Sequence, residues 1–274
     1  MTCIRLSNCT RLGNWMFQYA AAKCARPEDD IAFVVDDNLE KAKVEKYSCL
    51  FGGTPVLTSV PEGAIVRAEL YQDVKYLDPV VAGELYRCPA NVEQALRSLY
   101  GGLLDDDRLV SIHVRRGDYL RLPHRHPFVG KEYLRKAVSR FAEGGTRDFV
   151  VCSDDVRWCR GFFTRKNFPG IRFHFSEGNS VVADLFLMRR CRGGHICSNS
   201  TFSWWGAYRS AEPQPHTIFP SMWYGPAVHE EWGGLYFDGS EVVENGYTPV
   251  MWLTGRLQML KTALGDVMRK AGLR

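Results

Sequence analysis

Two segments of the chain concentrate groups that could bind and activate an anionic substrate. His113-Val114-Arg115-Arg116-Gly117-Asp118-Tyr119 follows the apolar run Leu109-Val110-Ser111-Ile112, and Ser198-Asn199-Ser200-Thr201-Phe202-Ser203-Trp204-Trp205-Gly206 follows Gly194-His195-Ile196-Cys197. Each is expected where a buried strand ends, and ligands of open α/β sheets bind at the carboxyl ends of the strands. The first segment supplies fixed guanidinium charge. The second supplies hydroxyls, amides and the unpaired N–H groups of a helix beginning near Phe202, a setting that attracts anions. Together they describe a diphosphate site and hence an activated, phosphate-bearing substrate.

Side chains alternate along a strand, so Arg115 and Arg116 point in different directions. Arg115 shares its face with His113 and is expected to meet the ligand, with Arg116 in an ion pair or anchoring the loop. A helix cap explains one short polar residue at 198–201; four in a row, opposite an arginine-bearing strand, point to binding. Trp204-Trp205 is expected to pack between that helix and the sheet. Asp105-Asp106-Asp107 has the D-x-D spacing of metal-dependent transferases, but it precedes its strand and so lies at the wrong sheet edge. Asp154-Asp155 follows a strand at the correct edge, where a helix cap with a donor contact is the expected role.

The elements that must position these residues alternate between strand-like and helix-like runs, the signature of a doubly wound α/β fold with a mainly parallel sheet. The first half reads as strand 2–7, a Gly13-Asn14 turn, helix 15–25, strand 31–35, a helical stretch near 37–50, and short strands near 55–59 and 64–69. The second reads as strand 108–114, helix 131–142, strand 148–152, helix 155–163, strand 171–175, helix 180–191, strand 194–198 and helix 202–211. Segment 220–249 has no clean period and reads as an irregular connector. From Val250 to about Ala271 a helical pattern returns, with Trp252, Leu253, Leu257, Leu260, Leu264, Val267 and Met268 on one side and Arg256, Lys261, Arg269 and Lys270 elsewhere. A closing helix packed on the protein is expected, with a helix lying on a membrane surface as the alternative.

The 274 residues, 45% of them hydrophobic, suffice for sizeable cores, and a net charge of +4 with scattered Lys and Arg argues against nucleic acid as a partner. Nine cysteines at irregular spacings form neither a C-x-x-C pair nor a zinc pattern, which suggests reduced thiols and a cytoplasmic location. No secretion signal and no membrane-spanning run is visible, so the triplets Asn8-Cys9-Thr10 and Asn199-Ser200-Thr201 are not read as glycosylation sites. No G-x-G-x-x-G opens a helix and no P-loop occurs, which leaves nicotinamide and P-loop chemistry without support.

These residues resemble the GDP-fucose-dependent α-1,2-fucosyltransferases of glycosyltransferase family eleven. Leu12-Gly13-Asn14-Trp15-Met16-Phe17-Gln18-Tyr19-Ala20 is similar to the family's LGNQMFQYA, and Tyr71-Gln72-Asp73-Val74-Lys75-Tyr76 to its FQSxKYF segment. His113–Tyr119 matches HVRRGDY, Cys152–Cys159 resembles FSDDxEWC, and Asp184–Gly206 matches the motif ending in SNSTFSWWG. Five motifs occur in the family's order.

The resemblance implies a GT-B-like pair of Rossmann-type domains with mainly parallel sheets. Residues 1–104 would form the acceptor side, 105–225 the GDP-sugar donor side, and 226–274 a connector with the C-terminal closing helix. It implies inverting transfer of L-fucose from GDP-β-L-fucose to a glycan hydroxyl, expected on a terminal galactoside with an α-1,2 linkage. Arg115 would bind the β-phosphate, Ser200 and Thr201 would complete the diphosphate grip beside Phe202, His113 and Asp184 would contact guanine, and Gly13 and Asn14 would let the backbone approach the phosphates. No cofactor beyond the donor is implied and no metal, because a guanidinium can meet the charge growing on the diphosphate. Asp118 is the first candidate for the base that accepts the acceptor's proton, a structural carboxylate paired with Arg116 being the other reading. His124, His126, Asp36 and Asp37 are further candidates. A transferase using another sugar nucleotide or linkage, or a non-catalytic GDP-sugar-binding protein, are the competing functions.

Overall fold

Short β-branched and aromatic runs separated by amphipathic stretches build two parallel sheets in succession. In a computed structural model of the chain the described residues are 1–7, 10–229 and 232–270, excluding the side chains of 262, 263, 265–267, 269 and 270. Asn8 and Cys9 of the first triplet, Ala271, and the side chains of Val267, Arg269 and Lys270 therefore lie outside the described residues. The elements are β1 (Thr2–Arg5), α1 (Leu12–Ala25), β2 (Ile31–Val34), α2 (Asn38–Glu45), β3 (Val56–Leu57), β4 (Ile65–Arg67), α3 (Pro79–Leu85) and α4 (Ala90–Leu104). They continue as β5 (Val110–Val114), α5 (Lys131–Glu143), β6 (Asp148–Ser153), α6 (Val156–Phe162), β7 (Arg172–Phe175), α7 (Val181–Arg189), β8 (Gly194–Ile196), α8 (Thr201–Ala207), β9 (Thr217–Pro220), β10 (Ser240–Val243) and α9 (Pro249–Lys270).

The first sheet has the order β3-β2-β1-β4 and the second β10-β9-β8-β5-β6-β7, with every pairing parallel. This is a GT-B-like arrangement of two Rossmann-type sheets. The central strand β5 is buried at all five positions, as expected of a strand covered on both faces.

Three readings of the sequence need correction. Segment 220–249 is not only a connector: β10 pairs with β9 in register, so Ser240–Val243 completes the second sheet, and the third unit drawn at 226–274 splits. Helix α4 falls inside 1–104, yet it packs on the second unit, where Glu93 pairs with Arg190 and the Tyr100 hydroxyl accepts from Asn179. Finally, α9 does not close over the protein. Met251 is fully buried at its start, but Leu253, Leu257, Leu260 and Leu264 are each more than half exposed.

One core runs through both units. Phe17 of α1 meets Trp204 and Trp205 of α8 at centroid distances of 4.5 and 5.0 Å, and both tryptophans are fully buried, as expected. The Trp205 indole N–H donates to Gly13 O at 3.1 Å. The far end of α8 is held by Arg189 of α7, whose guanidinium donates to the carbonyls of Trp205, Tyr208 and Arg209. Burial lowers the Arg189 pKa to about 10, and those carbonyl contacts near a helix C-terminus suit a cation.

The contact between α1 and α8 requires glycine. A Cβ on Gly13 would lie 2.5 Å from Thr201 Oγ1 and 2.6 Å from Phe202 N, and the backbone atom cannot step aside. Gly13→Ala is expected to destabilise the chain by about 1–3 kcal/mol, the usual cost of overpacking, read as a lower urea midpoint at unchanged slope. An unchanged midpoint would show that the two helices separate freely.

Candidate functional site

Helix α1 follows β1 and α8 follows β8, so the starts of both helices lie at the carboxyl edges of their sheets. They meet there: Thr201 Oγ1 donates to Asn14 Oδ1 at 2.8 Å. The close approach permitted by Gly13 is thus to the first turn of α8, which differs from the phosphate approach expected from the sequence. Ser200 is the N-cap of α8 and accepts from Phe202 N at 3.3 Å, which leaves its own O–H as a donor. Asn199 donates to Trp223 O, and its Oδ1 is a buried acceptor without a partner among the described residues.

His113 sits at the end of β5 with Nδ1 2.8 Å from Ser198 Oγ and its ring 5.4 Å from that of Phe202. Burial, reinforced by the Arg115 charge, lowers its pKa to about 3, so the imidazole is neutral at physiological pH. The Arg115 guanidinium is held on two sides, Nη2 by Asp118 Oδ1 at 2.7 Å and Nη1 by Asp154 Oδ2 at 2.9 Å. Asp154 Oδ1 also accepts from Arg116 N at 2.8 Å, so one carboxylate fixes both the loop and the guanidinium. This closeness needs Gly117: a Cβ there would come within 2.6 Å of Asp154 Oδ2.

Arg116 turns the other way, as alternation requires. It pairs with Asp155 at 3.0 Å and lies 4.0 Å over the Trp158 ring, a cation–π contact in addition to the ion pair. It is therefore the anchor anticipated for one member of the pair. Asp155 caps α6 through Trp158 N. The proposed Asp118–Arg116 pair does not form; Asp118 pairs with Arg115 instead.

Asp184 lies within α7 and is not its cap. Ser180 takes that place, accepting from Ala183 N. Asp184 instead accepts from the Ser176 hydroxyl at 2.5 Å, in a chain continued by Asn179, which donates to both Ser176 and Tyr100. Burial raises the Asp184 pKa to about 6 against the opposing effect of Ser176 and Asn179.

The remaining acids are structural. Asp106 accepts from Arg108 N and Asp107 pairs with Arg192, both ahead of β5 and so at the opposite sheet edge from Arg115. Asp36 pairs with Arg5 and Asp37 caps α2. Among the described residues no group of three or more His, Cys, Asp or Glu is placed to hold a metal ion.

An aromatic wall beside Arg115 was not anticipated. Arg115 lies 5.7 Å over the Tyr119 ring, Tyr119 stacks on His126 at 5.0 Å, and His126 approaches Tyr224, which meets Trp232 edge-on. Tyr119 donates to Asn199 O, joining the two motif loops, and Tyr224 donates to Gln72 Oε1 of the first unit at 3.0 Å. Burial lowers the His126 pKa, with Arg125 adding to the effect and Asp118 opposing it. The signal in the sequence was the aromatic content of 220–249, read only as a connector.

Residues 87–226, which are 140 of the 274, match the family described as glycosyl transferase family 11. The chain is 33% identical over 119 residues to an alpha-1,2-colitosyltransferase of Escherichia coli, covering 42% of this chain and 41% of that protein. It is 30% identical over 156 residues to the galactoside 2-alpha-L-fucosyltransferase Sec1 of Mus musculus, covering 52% and 42%. The matched part thus spans less than half the length of these relatives. A solved structure of glycosyl transferase family 9 from Veillonella parvula DSM 2008 superposes with a TM-score of 0.54 at 14% identity, covering 98% of this chain and 89% of that one, which supports the fold alone. The family match contains the arginine loop, the Asp154 loop and the start of α8, the three parts that the geometry brings together, and the chain belongs to glycosyl transferase family 11.

Proposed function

We propose that the chain transfers L-fucose from GDP-β-L-fucose to a galactoside hydroxyl with inversion, forming an α-1,2 linkage. The observation that carries this reading is Arg115, held by Asp118 and Asp154 at the carboxyl edge of β5. Negative charge grows on the β-phosphate as the glycosidic bond breaks, and a guanidinium already fixed in place meets that charge without reorganising. Of the five guanidinium N–H donors one is hydrogen-bonded, to Asp118, while Asp154 is an ion-pair partner at 2.9 Å, so donors remain for the diphosphate. The Ser200 hydroxyl and the first turn of α8 complete the grip in this reading. The Nε2 of neutral His113 and the Asp184 carboxylate would meet the base, and His126, Tyr224 and Trp232 offer aromatic faces to the acceptor sugar.

The acceptor's hydroxyl attacks the anomeric carbon while the bond to the β-phosphate oxygen breaks, and its proton passes to a base. We assign this to Asp118: Oδ1 orients Arg115, and Oδ2 is left to take the proton. A metal ion has no assigned part. The name of the bacterial relative favours a second reading in which the donor sugar is colitose. A donor panel assayed by nucleotide release separates the two: GDP-fucose should turn over fastest, and preference for a colitose donor would overturn the sugar assignment. The same assay in EDTA should retain activity, whereas complete loss restored by Mn²⁺ or Mg²⁺ would contradict the metal-free mechanism.

In that assay Arg115→Ala should lower turnover by about 10²-fold or more, as for loss of one transition-state donor. Arg115→Lys should recover little, because a point charge cannot replace the fork held by two carboxylates. Asp154→Ala should lower turnover by a smaller factor, with a modestly lower melting temperature from the lost loop contact. A lysine variant equal to wild type would reduce Arg115 to a general positive charge.

The guanine contact predicts a pH dependence. The Asp184 pKa is raised by folding, so its contribution to stability is present below about pH 4, the range of an unperturbed carboxyl, and is lost as the pH rises through about 6. The charged form is the one that accepts from guanine N1–H and the exocyclic amine. GDP affinity should therefore rise as the pH increases through about 6, and Asp184→Asn should reduce the rise to the part due to ionisation of the terminal phosphate of GDP and narrow the preference for GDP over ADP. A pH-independent GDP affinity in the wild-type chain would remove Asp184 from the base site.

A further inference from the structure

Among the described residues, helix α9 meets the protein at its start. Met251 is buried, the Tyr247 hydroxyl donates to Met251 O, and a Cβ on Gly255 would lie 2.7 Å from that hydroxyl and 3.1 Å from His124. At 100° per residue these contacts define the side facing the protein. Val250, Leu253, Leu257, Leu260 and Leu264 recur at intervals of three and four on a different side, and their exposures run from 52% to 68%. Trp252 is also exposed and carries Arg256 at 4.7 Å over its ring. The stripe is thus turned to the surroundings over about four turns of helix.

The spacing alone would also suit a second copy of the chain, since the stripe follows the alternating three and four of a coiled-coil seam. The charges beside it decide. Arg256 and Lys261 flank the stripe on its two sides, and Asp266 is the one acidic residue in the sequence from Pro249 to Lys270. Two such helices would set cation against cation in either orientation. An anionic lipid surface instead receives the apolar stripe among its acyl chains and both flanking cations at its headgroups. Among the described residues no helix is long and apolar enough to cross a membrane, so the helix would lie on the surface.

We infer that α9 seats the protein on an anionic lipid surface through the Val250–Leu264 stripe and its flanking Arg256 and Lys261. The helix starts against His124, two residues from His126 of the aromatic wall, so the candidate site is held close to that surface. The inference rests on α9 and is independent of the donor assignment.

The test is co-sedimentation of the full chain with vesicles of phosphatidylcholine, with and without phosphatidylglycerol, alongside its sedimentation velocity without lipid. The wild-type chain should bind the phosphatidylglycerol vesicles and weakly, if at all, the neutral ones. The doubly substituted chain with Leu257→Asp and Leu260→Asp should lose binding, and that with Arg256→Glu and Lys261→Glu should bind at least about tenfold more weakly, from the surface attraction of two basic residues. All four substituted side chains are exposed, so nucleotide release from the soluble donor should be unchanged, which separates a failure here from a failure of the donor reading. Absence of wild-type binding to phosphatidylglycerol vesicles would overturn the inference. So would a dimer in solution that the two aspartates dissociate, since the stripe would then be a contact between copies.

Discussion

Gly13 lies so close to Thr201 and Phe202 that no methyl group fits between them, and on this contact the relation between the two sheets depends. It brings the starts of α1 and α8 together at the carboxyl edges of their sheets, where oriented N–H groups favour an anion. The arrangement is braced from both sides. Trp205 donates back to Gly13 O, Phe17 packs on both tryptophans, and Arg189 holds the carbonyls at the far end of α8. One hydrophobic core therefore serves both units and fixes how the starts of α1 and α8 meet.

Charge at the site is arranged rather than accumulated. Arg115 and Arg116 face three carboxylates, Asp118, Asp154 and Asp155, so the cluster is not an open basic patch. The carboxylates fix the plane of the Arg115 guanidinium before a ligand arrives, which is what preorganised stabilisation of developing charge requires. Gly117 is part of the same device, since its missing side chain admits Asp154 to both Arg115 and the loop backbone. His113 adds no charge, being neutral through burial, and can offer hydrogen bonding only.

The alternation of strands and helices was legible wherever apolar runs were long and ended in polar caps. The expected elements from 108 to 202 match β5 to the start of α8 within a few residues, and the divergence of Arg115 and Arg116 followed from strand alternation. Helix α4 went unread because Gly101-Gly102 weakens its pattern, and β10 because Ser240-Glu241-Val242-Val243 is a short edge strand with a polar half. Pairings across the chain were beyond local reasoning: nothing near Gly13 announces Thr201, and nothing near Asp154 announces Gly117. The period of α9 was plain, but a periodic apolar face does not reveal what covers it, and among the described residues the expected packing on the protein is confined to the start of the helix.

The central claim is that the seam beside Arg115 recognises a diphosphate, with the β-phosphate as the group that matters. Titration calorimetry of the full chain with GDP and with GMP at equal pH and salt tests it most directly, since the two ligands share the base and differ by that phosphate. The account predicts that GDP binds more tightly than GMP by at least about tenfold, the scale of one to two charge-assisted hydrogen bonds. Equal affinities would contradict it, because the base alone would then carry recognition and Arg115 would have no phosphate to hold.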